Sequence, residues 1–278
     1  MGLRLKTKWV ACAGVAGVLG VGITGAVVST AAASGSTKVV THKAVSPVTT
    51  ADLSFNLSVS GVTTSPVTIT GNGEVDFTND AASLAVTIPA ALAEKIPGGS
   101  DAPETVNAVL SGGTIYLEVP SLASIVGEPW ISVALPAKAT SALPGGFTKV
   151  ASVLGNVNAI LTFAQKHHAT VTSLGTATVD QVQATGSQIA ASKTTKKGTT
   201  VTLTGSVWAD SSDRLVQGNV SVSGTAAKGT VGVTATVNLS GYGTPVTITV
   251  PPSSEVKPVP YSAVAKVFAK FLGPLRHG

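Results

Sequence analysis

From residue 52 to residue 250 apolar and polar side chains alternate one by one along a series of short stretches. That period of two constrains the fold more than any other feature of the chain. In 52–60, Leu53, Phe55, Leu57 and Val59 alternate with Ser54, Asn56 and Ser58. In 66–78 the apolar set is Val67, Ile69, Val75 and Phe77, interrupted by Gly71 and Gly73, which predict a bend or bulge. The series continues with 82–88 and Ile115, Leu117, Val119, then with Ile131, Val133, Leu135. The later half adds 174–180, 182–190, Val201 to Val207, Leu215 to Val222 and Val231 to Leu239, and the series closes on Val246, Ile248 and Val250. Successive side chains of a strand point to opposite faces, so the pattern predicts about ten antiparallel strands with one face buried and one wet.

Two stretches carry helical spacing instead. Residues 147–166 place Val150, Val153, Leu154, Val157, Ile160, Leu161 and Ala164 on one side, and residues 260–272 do the same with Tyr261, Val264, Ala265, Phe268 and Leu272. Pro260 suits a first helical turn. Shorter helical turns are predicted near 89–95 and 102–110. Ten strands about 4.8 Å apart span roughly 48 Å, whereas one helix covers about 10 Å. Two helices therefore leave a flat sheet uncovered. The sheet must curl around them, split into a sandwich, or leave apolar space for a ligand, and the period alone is compatible with each.

The first residues obey a different rule. Arg4, Lys6 and Lys8 precede an uncharged run from Trp9 to Val28, and Ala31-Ala32-Ala33-Ser34 offers small residues for a signal peptidase. Residues 1–33 are thus predicted to be a signal peptide cleaved after Ala33, or a retained membrane anchor. Residues 34–50 lack a clear period and read as a flexible tether, 51–273 as one β-rich domain, and 274–278 as a tail. Cys12, the single cysteine, precedes nearly all of the apolar run and reads as a small apolar residue of it. The +5 balance also resides largely here: without the three basic residues fifteen remain against thirteen acids, a balance of +2. Only Lys193, Lys196 and Lys197 cluster, in what reads as a hairpin loop, so no footprint for nucleic acid is present.

Catalytic chemistry finds little to stand on. His42 and His277 lie in the tether and tail, and His167 and His168 end the long predicted helix, where a cation suits the dipole. Ser254 and Lys257 match Ser-x-x-Lys in spacing only, because prolines flank them. No Gly-x-Ser-x-Gly elbow and no phosphate-binding glycine loop occur. Glu74 and Asp76 alternate outward on a strand, and Asp210 and Asp213 sit in a turn that favours aspartate. The reading is a non-enzyme with no catalytic residue, no metal and no cofactor.

Four stretches carry a family resemblance: "GGTIYLEVPSLASIVGEPWISVAL" (112–135), "GTATVDQVQATGSQIAAS" (175–192), "VWADSSDRLVQGNVSV" (207–222) and "YGTPVTITVPPSSEV" (242–256). In content and order they resemble the mycobacterial lipoprotein family of LppX, LprA, LprF and LprG, across about 52–256. The resemblance implies an α+β fold similar to the LolA carriers: a strongly curved antiparallel sheet, a half-barrel, with helices packed in its concave face. It implies an apolar cavity for acylated lipids between sheet and helices. The chain departs from the family in lacking its lipobox and in "ATGSQ" within 182–190. The expected cavity residues are Tyr116, Leu117, Trp130, Ile131, Val150, Leu154, Val157 and Leu161. Tyr116 and Trp130 are equally compatible with core or rim packing. The expected partners are a lipid or acylated glycolipid and, through the N-terminal segment, a membrane. The expected product is an exported monomer at the outer face of the cytoplasmic membrane, in the envelope or secreted. Its alternative is a surface-anchored structural or adhesion module with a filled core.

Overall fold

A computed structural model describes residues 48–61, 65–94, 96, 98–135, 156–194, 198–226 and 229–263. The predicted export segment, most of the predicted tether, His42, Lys196, Lys197, the predicted helix beyond residue 263 and the predicted tail lie outside them. Twelve strands form one open sheet in the order β12-β6-β5-β4-β3-β2-β1-β11-β10-β9-β8-β7. They are β1 (Thr50–Ser60), β2 (Val67–Asp76), β3 (Ala81–Ile88), β4 (Glu104–Ser111), β5 (Thr114–Glu118) and β6 (Trp130–Ala134). The second half supplies β7 (Thr170–Val179), β8 (Val182–Thr194), β9 (Thr200–Ala209), β10 (Leu215–Ala226), β11 (Gly229–Ser240) and β12 (Val256–Pro258). Among the described residues three α-helices accompany them: α1 (Ala90–Ala93), α2 (Pro120–Val126) and α3 (Val157–Lys166). Every pairing is antiparallel except β12 on β6.

Twelve strands laid flat would be about 58 Å wide, far beyond the reach of a ten-residue helix. The sheet curves instead and stays unclosed, a half-barrel whose concave side carries the core. Phe55, Val86, Val237 and Val207 from that side join Val157 and Ile160 of α3 in one cluster. The register makes the rows explicit. Phe55 pairs with Gly71 and Val237, and Gly218 links Val237 to Val207, so one buried row crosses five strands. The opposite, convex side is a ladder of hydroxyls and amides. There Gln217 donates to Asn238 at 3.0 Å, Asn238 to Ser54 at 3.2 Å, and Asn219 to Thr236 at 2.8 Å.

The structure corrects several local expectations. Gly71 and Gly73 make no bulge, since β2 keeps its register on both neighbours. They are glycines because something lies against them: an added Cβ would fall 2.5 Å from the Phe55 ring at Gly71 and 1.9 Å from the Ser83 carbonyl oxygen at Gly73. Register shifts occur elsewhere, between Ser173 and Gly175 and between Leu215 and Gln217. The stretch 102–110 is not helical, because Glu104–Ser111 is strand β4. Val246, Ile248 and Val250 join no ladder. The chain travels from β11 to the far edge, where the unpredicted β12 pairs with β6. Of the predicted helix 147–166, residues 147–155 lie outside the described residues, and α3 begins at Val157: the Asn156 backbone (φ −148°, ψ 88°) is not helical and its side chain caps α3 by accepting from the Ala159 N–H at 3.3 Å.

Candidate ligand-binding site

The concave face divides into two zones. Near α3 its rows are buried. Toward the tips of the β1–β2, β8–β9 and β10–β11 connections the same face stays apolar but loses its cover. One row there runs Val67, Val59, Val233, Val222, Leu203 and Ala191, each paired with the next across six adjacent strands. Val233 is 38% exposed and its neighbour Val231 45%, while Val59, Val67, Val222 and Leu203 are half-buried. A second half-covered row, Ile69, Leu57, Ala235 and Val220, lies between this one and the core. Two rows of aliphatic side chains thus form a continuous apolar floor on one face of four central strands. Burying methylene groups against such a floor contributes about 0.8 kcal/mol each.

The expected cavity residues do not gather in one place. Leu117 and Ile131 pair across β5 and β6 on the concave face and meet Val119, Leu122 and Val126 around α2. That crevice leaves no room for a water molecule. Val157 is buried and Leu161 half-buried on α3, both packed on the core. Tyr116 and Trp130 point the other way: Tyr116 pairs with Ser132 and Trp130 with Glu118, all on the convex face. The pleat separates adjacent residues of a strand, so Tyr116 cannot share a cavity with Leu117, nor Trp130 with Ile131. Val150 and Leu154 lie outside the described residues. The apolar floor itself was visible in the alternation, but nothing in the pattern tells a covered row from an open one.

Asp210, Arg214 and Asp76 are engaged structurally. Asp210 accepts from the backbone N–H groups of Ser212 (2.8 Å) and Arg214 (2.9 Å), and the Arg214 guanidinium closes on its other oxygen at 2.7 Å. The same guanidinium stacks 4.8 Å from the centre of the Tyr242 ring, and the Tyr242 hydroxyl donates to the Leu215 carbonyl. Burial, aided by the Asp210 carboxylate and opposed by Arg214, pushes the Tyr242 phenol well above its ordinary range. Glu74 and Asp76 share the convex face of β2. Asp76 accepts from Thr78 and Asn79 in the turn beyond. His167 caps α3 with its ring 4.3 Å from that of Phe163. Among the described residues no three His, Cys, Asp or Glu side chains are grouped for a metal.

No family model matches this chain, and no curated protein matches it. Solved structures do resemble it. The lipoprotein LppX of Mycobacterium tuberculosis is 12% identical over 73% of this chain and 90% of its own, with a TM-score of 0.38. A LolA superfamily protein from Nitrosomonas europaea is 10% identical over 75% and 90%, with a TM-score of 0.26.

Proposed function

We propose that the chain is an exported, non-enzymatic carrier or binding protein for a lipid or lipid-linked glycan of the cell envelope. The observation that carries this reading is the half-covered apolar floor of Val59, Val67, Val233, Val222 and Leu203 on the concave face. Acyl chains laid along it remove aliphatic surface from water without any polar chemistry, in keeping with the engagement of Asp210, Arg214 and Asp76 in turns. Residues 1–33 act as the export segment, with cleavage after Ala33 or retention as an anchor. Residues 51–273 form the binding domain, which works as a monomer and needs no cofactor.

A second reading, a structural or adhesion module with a filled core, is favoured by the closed crevice under α2. Native mass spectrometry of the full chain purified from envelope membranes separates the two. A mass increment that disappears on organic extraction, with a lipid recovered in the extract, supports the carrier. A bare polypeptide mass from lipid-replete cells removes it and leaves the structural module.

A further inference from the structure

Val256, Lys257 and Pro258 extend the sheet beyond β6, and the Val259 N–H continues the ladder to the Ser132 carbonyl at 2.8 Å. On the convex side this edge encloses an open depression of about 480 Å³. Its floor is Thr114 and Tyr116 of β5 with Ser132 of β6, and its wall is Pro258, Val259 and Pro260. The volume lies within the range of about 300–1,000 Å³ typical of small-molecule sites. Trp130 stands two residues before Ser132 on the same face and so lies diagonal to Tyr116, within reach of large side chains. Glu118, opposite Trp130, is held by the Asn107 amide at 2.7 Å.

We infer that this depression is a binding site for a neutral sugar ring, separate from the apolar floor on the other face. Three features select that chemistry. An aromatic ring flanked by proline offers a flat apolar surface to the C–H face of a pyranose, whose weakly positive hydrogens suit the negative π face. The Thr114 and Ser132 hydroxyls supply donors and acceptors at the rim of that surface, where ring hydroxyls project. The electrostatics reject an anion: the described strands carry only two basic residues, Lys193 and Lys257, and their registers with Val201 and Ile131 put both on the concave parity. The convex face of the described strands is therefore neutral to acidic, with Asp52, Glu74, Asp76 and Glu118 as its charges. Among the described residues a phosphate or sulfate group would meet no cation on this face of the strands, whereas an uncharged glycan meets groups it can pair with.

The test uses saturation-transfer difference NMR on the full chain with maltotriose, cellotriose and mannotriose as separate probes. At least one is expected to show transfer to its ring C–H protons. Tyr116→Ala is expected to weaken that probe at least tenfold, and Tyr116→Phe to retain it. Ser132→Leu keeps the ring but fills the depression, and is expected to abolish transfer, which secures the test if Tyr116→Ala fails to fold. Absence of transfer from all three at 10 mM overturns the inference, as does transfer that survives Ser132→Leu. Shifts at Tyr116 produced by a proline-rich peptide and not by any sugar also overturn it. A lipid increment in native mass spectrometry bears only on the concave face, so either result stands without the other.

Discussion

The indole of Trp208 rests on the backbone of Gly186, its cross-strand partner between β9 and β8: a Cβ added at Gly186 would lie 2.5 Å from the ring. The contact covers a residue that has no side chain of its own, on the convex face where the neighbours are short and polar. Gly186→Ala is expected to push the ring off the sheet and to cost about 1–3 kcal/mol, read as a lower urea midpoint at unchanged slope. Gly224→Ala, at a strand position with open space around it, is expected to change the midpoint far less. Equal effects at the two sites would remove the packing explanation.

The Tyr242 hydroxyl sits where ionisation is opposed by burial first and by Asp210 second. Its folded-state pKa lies above the ordinary value of about 10, so the folded protein holds the proton more tightly than the unfolded chain. The resulting stability is present below pH 10 and is lost as pH climbs through the folded-state value. Thermal melts from pH 8 to 11 are expected to fall above pH 10. Tyr242→Phe should flatten that fall while costing about 1 kcal/mol at pH 8 through the lost hydrogen bond to Leu215.

Asp76 gives the opposite sign. Burial raises its carboxyl, but hydrogen bonds from the Asn79 side chain and from the Asn79 and Thr78 N–H groups together hold it below its ordinary value. Stability from this turn is present above the unfolded-state value and is lost as pH falls through the lower, folded one. A melt series from pH 5 down to pH 2.5 is expected to lose part of its slope in Asp76→Asn, and an unchanged slope would exclude the turn as a contributor.

The floor of the concave face is tested by charge. Val222 and Val233 pair with each other across β10 and β11, and both point into the half-covered zone. The double variant Val222→Asp, Val233→Asp is expected to purify without the lipid increment, because carboxylates desolvated by acyl chains oppose binding strongly. Ser221→Asp, on the other face of β10, is expected to retain it. Lipid retained by the double variant would place the ligand elsewhere.

Helix α3 depends on its cap. Asn156→Ala is expected to lower stability by about 1 kcal/mol, with Asn156→Ser largely neutral. Denaturation followed at 222 nm reads this out, and an uncapped helix with unchanged stability would show that packing of Val157 and Ile160 alone fixes α3.

Much of this architecture was legible because a half-covered sheet writes its pleat into the chain. Leu53, Phe55 and Leu57 announced both β1 and its inner face. The same signal misled at Val246, Ile248 and Val250, which alternate yet have no neighbouring strand. Val106, Val109 and Leu110 fall at helical spacing only because Val109 is buried on the convex side of β4 while the others face inward. Gly71 reads as a bulge in isolation, since the Phe55 ring that requires it comes from another strand. Of the candidate site, the apolar identity of the floor was readable strand by strand. Its open zone was not, because exposure depends on what packs over each row rather than on the row itself. The separation of Tyr116 and Trp130 from Leu117 and Ile131 follows from parity alone.

Strand β1 lies between β2 and β11, with Asp52 beside Ser240. A chain is made from its N-terminus, so β1 to β6 can pair early, but the second edge of β1 waits for a partner nearly two hundred residues downstream. Until β11 arrives, Leu53, Phe55 and Leu57 stand at a raw hydrogen-bonding edge with an apolar flank, the kind of surface that recruits foreign strands. Such distant pairing also makes for slow folding. The central strand of the finished protein is thus its most vulnerable one during synthesis, and the last third of the chain serves as its guard.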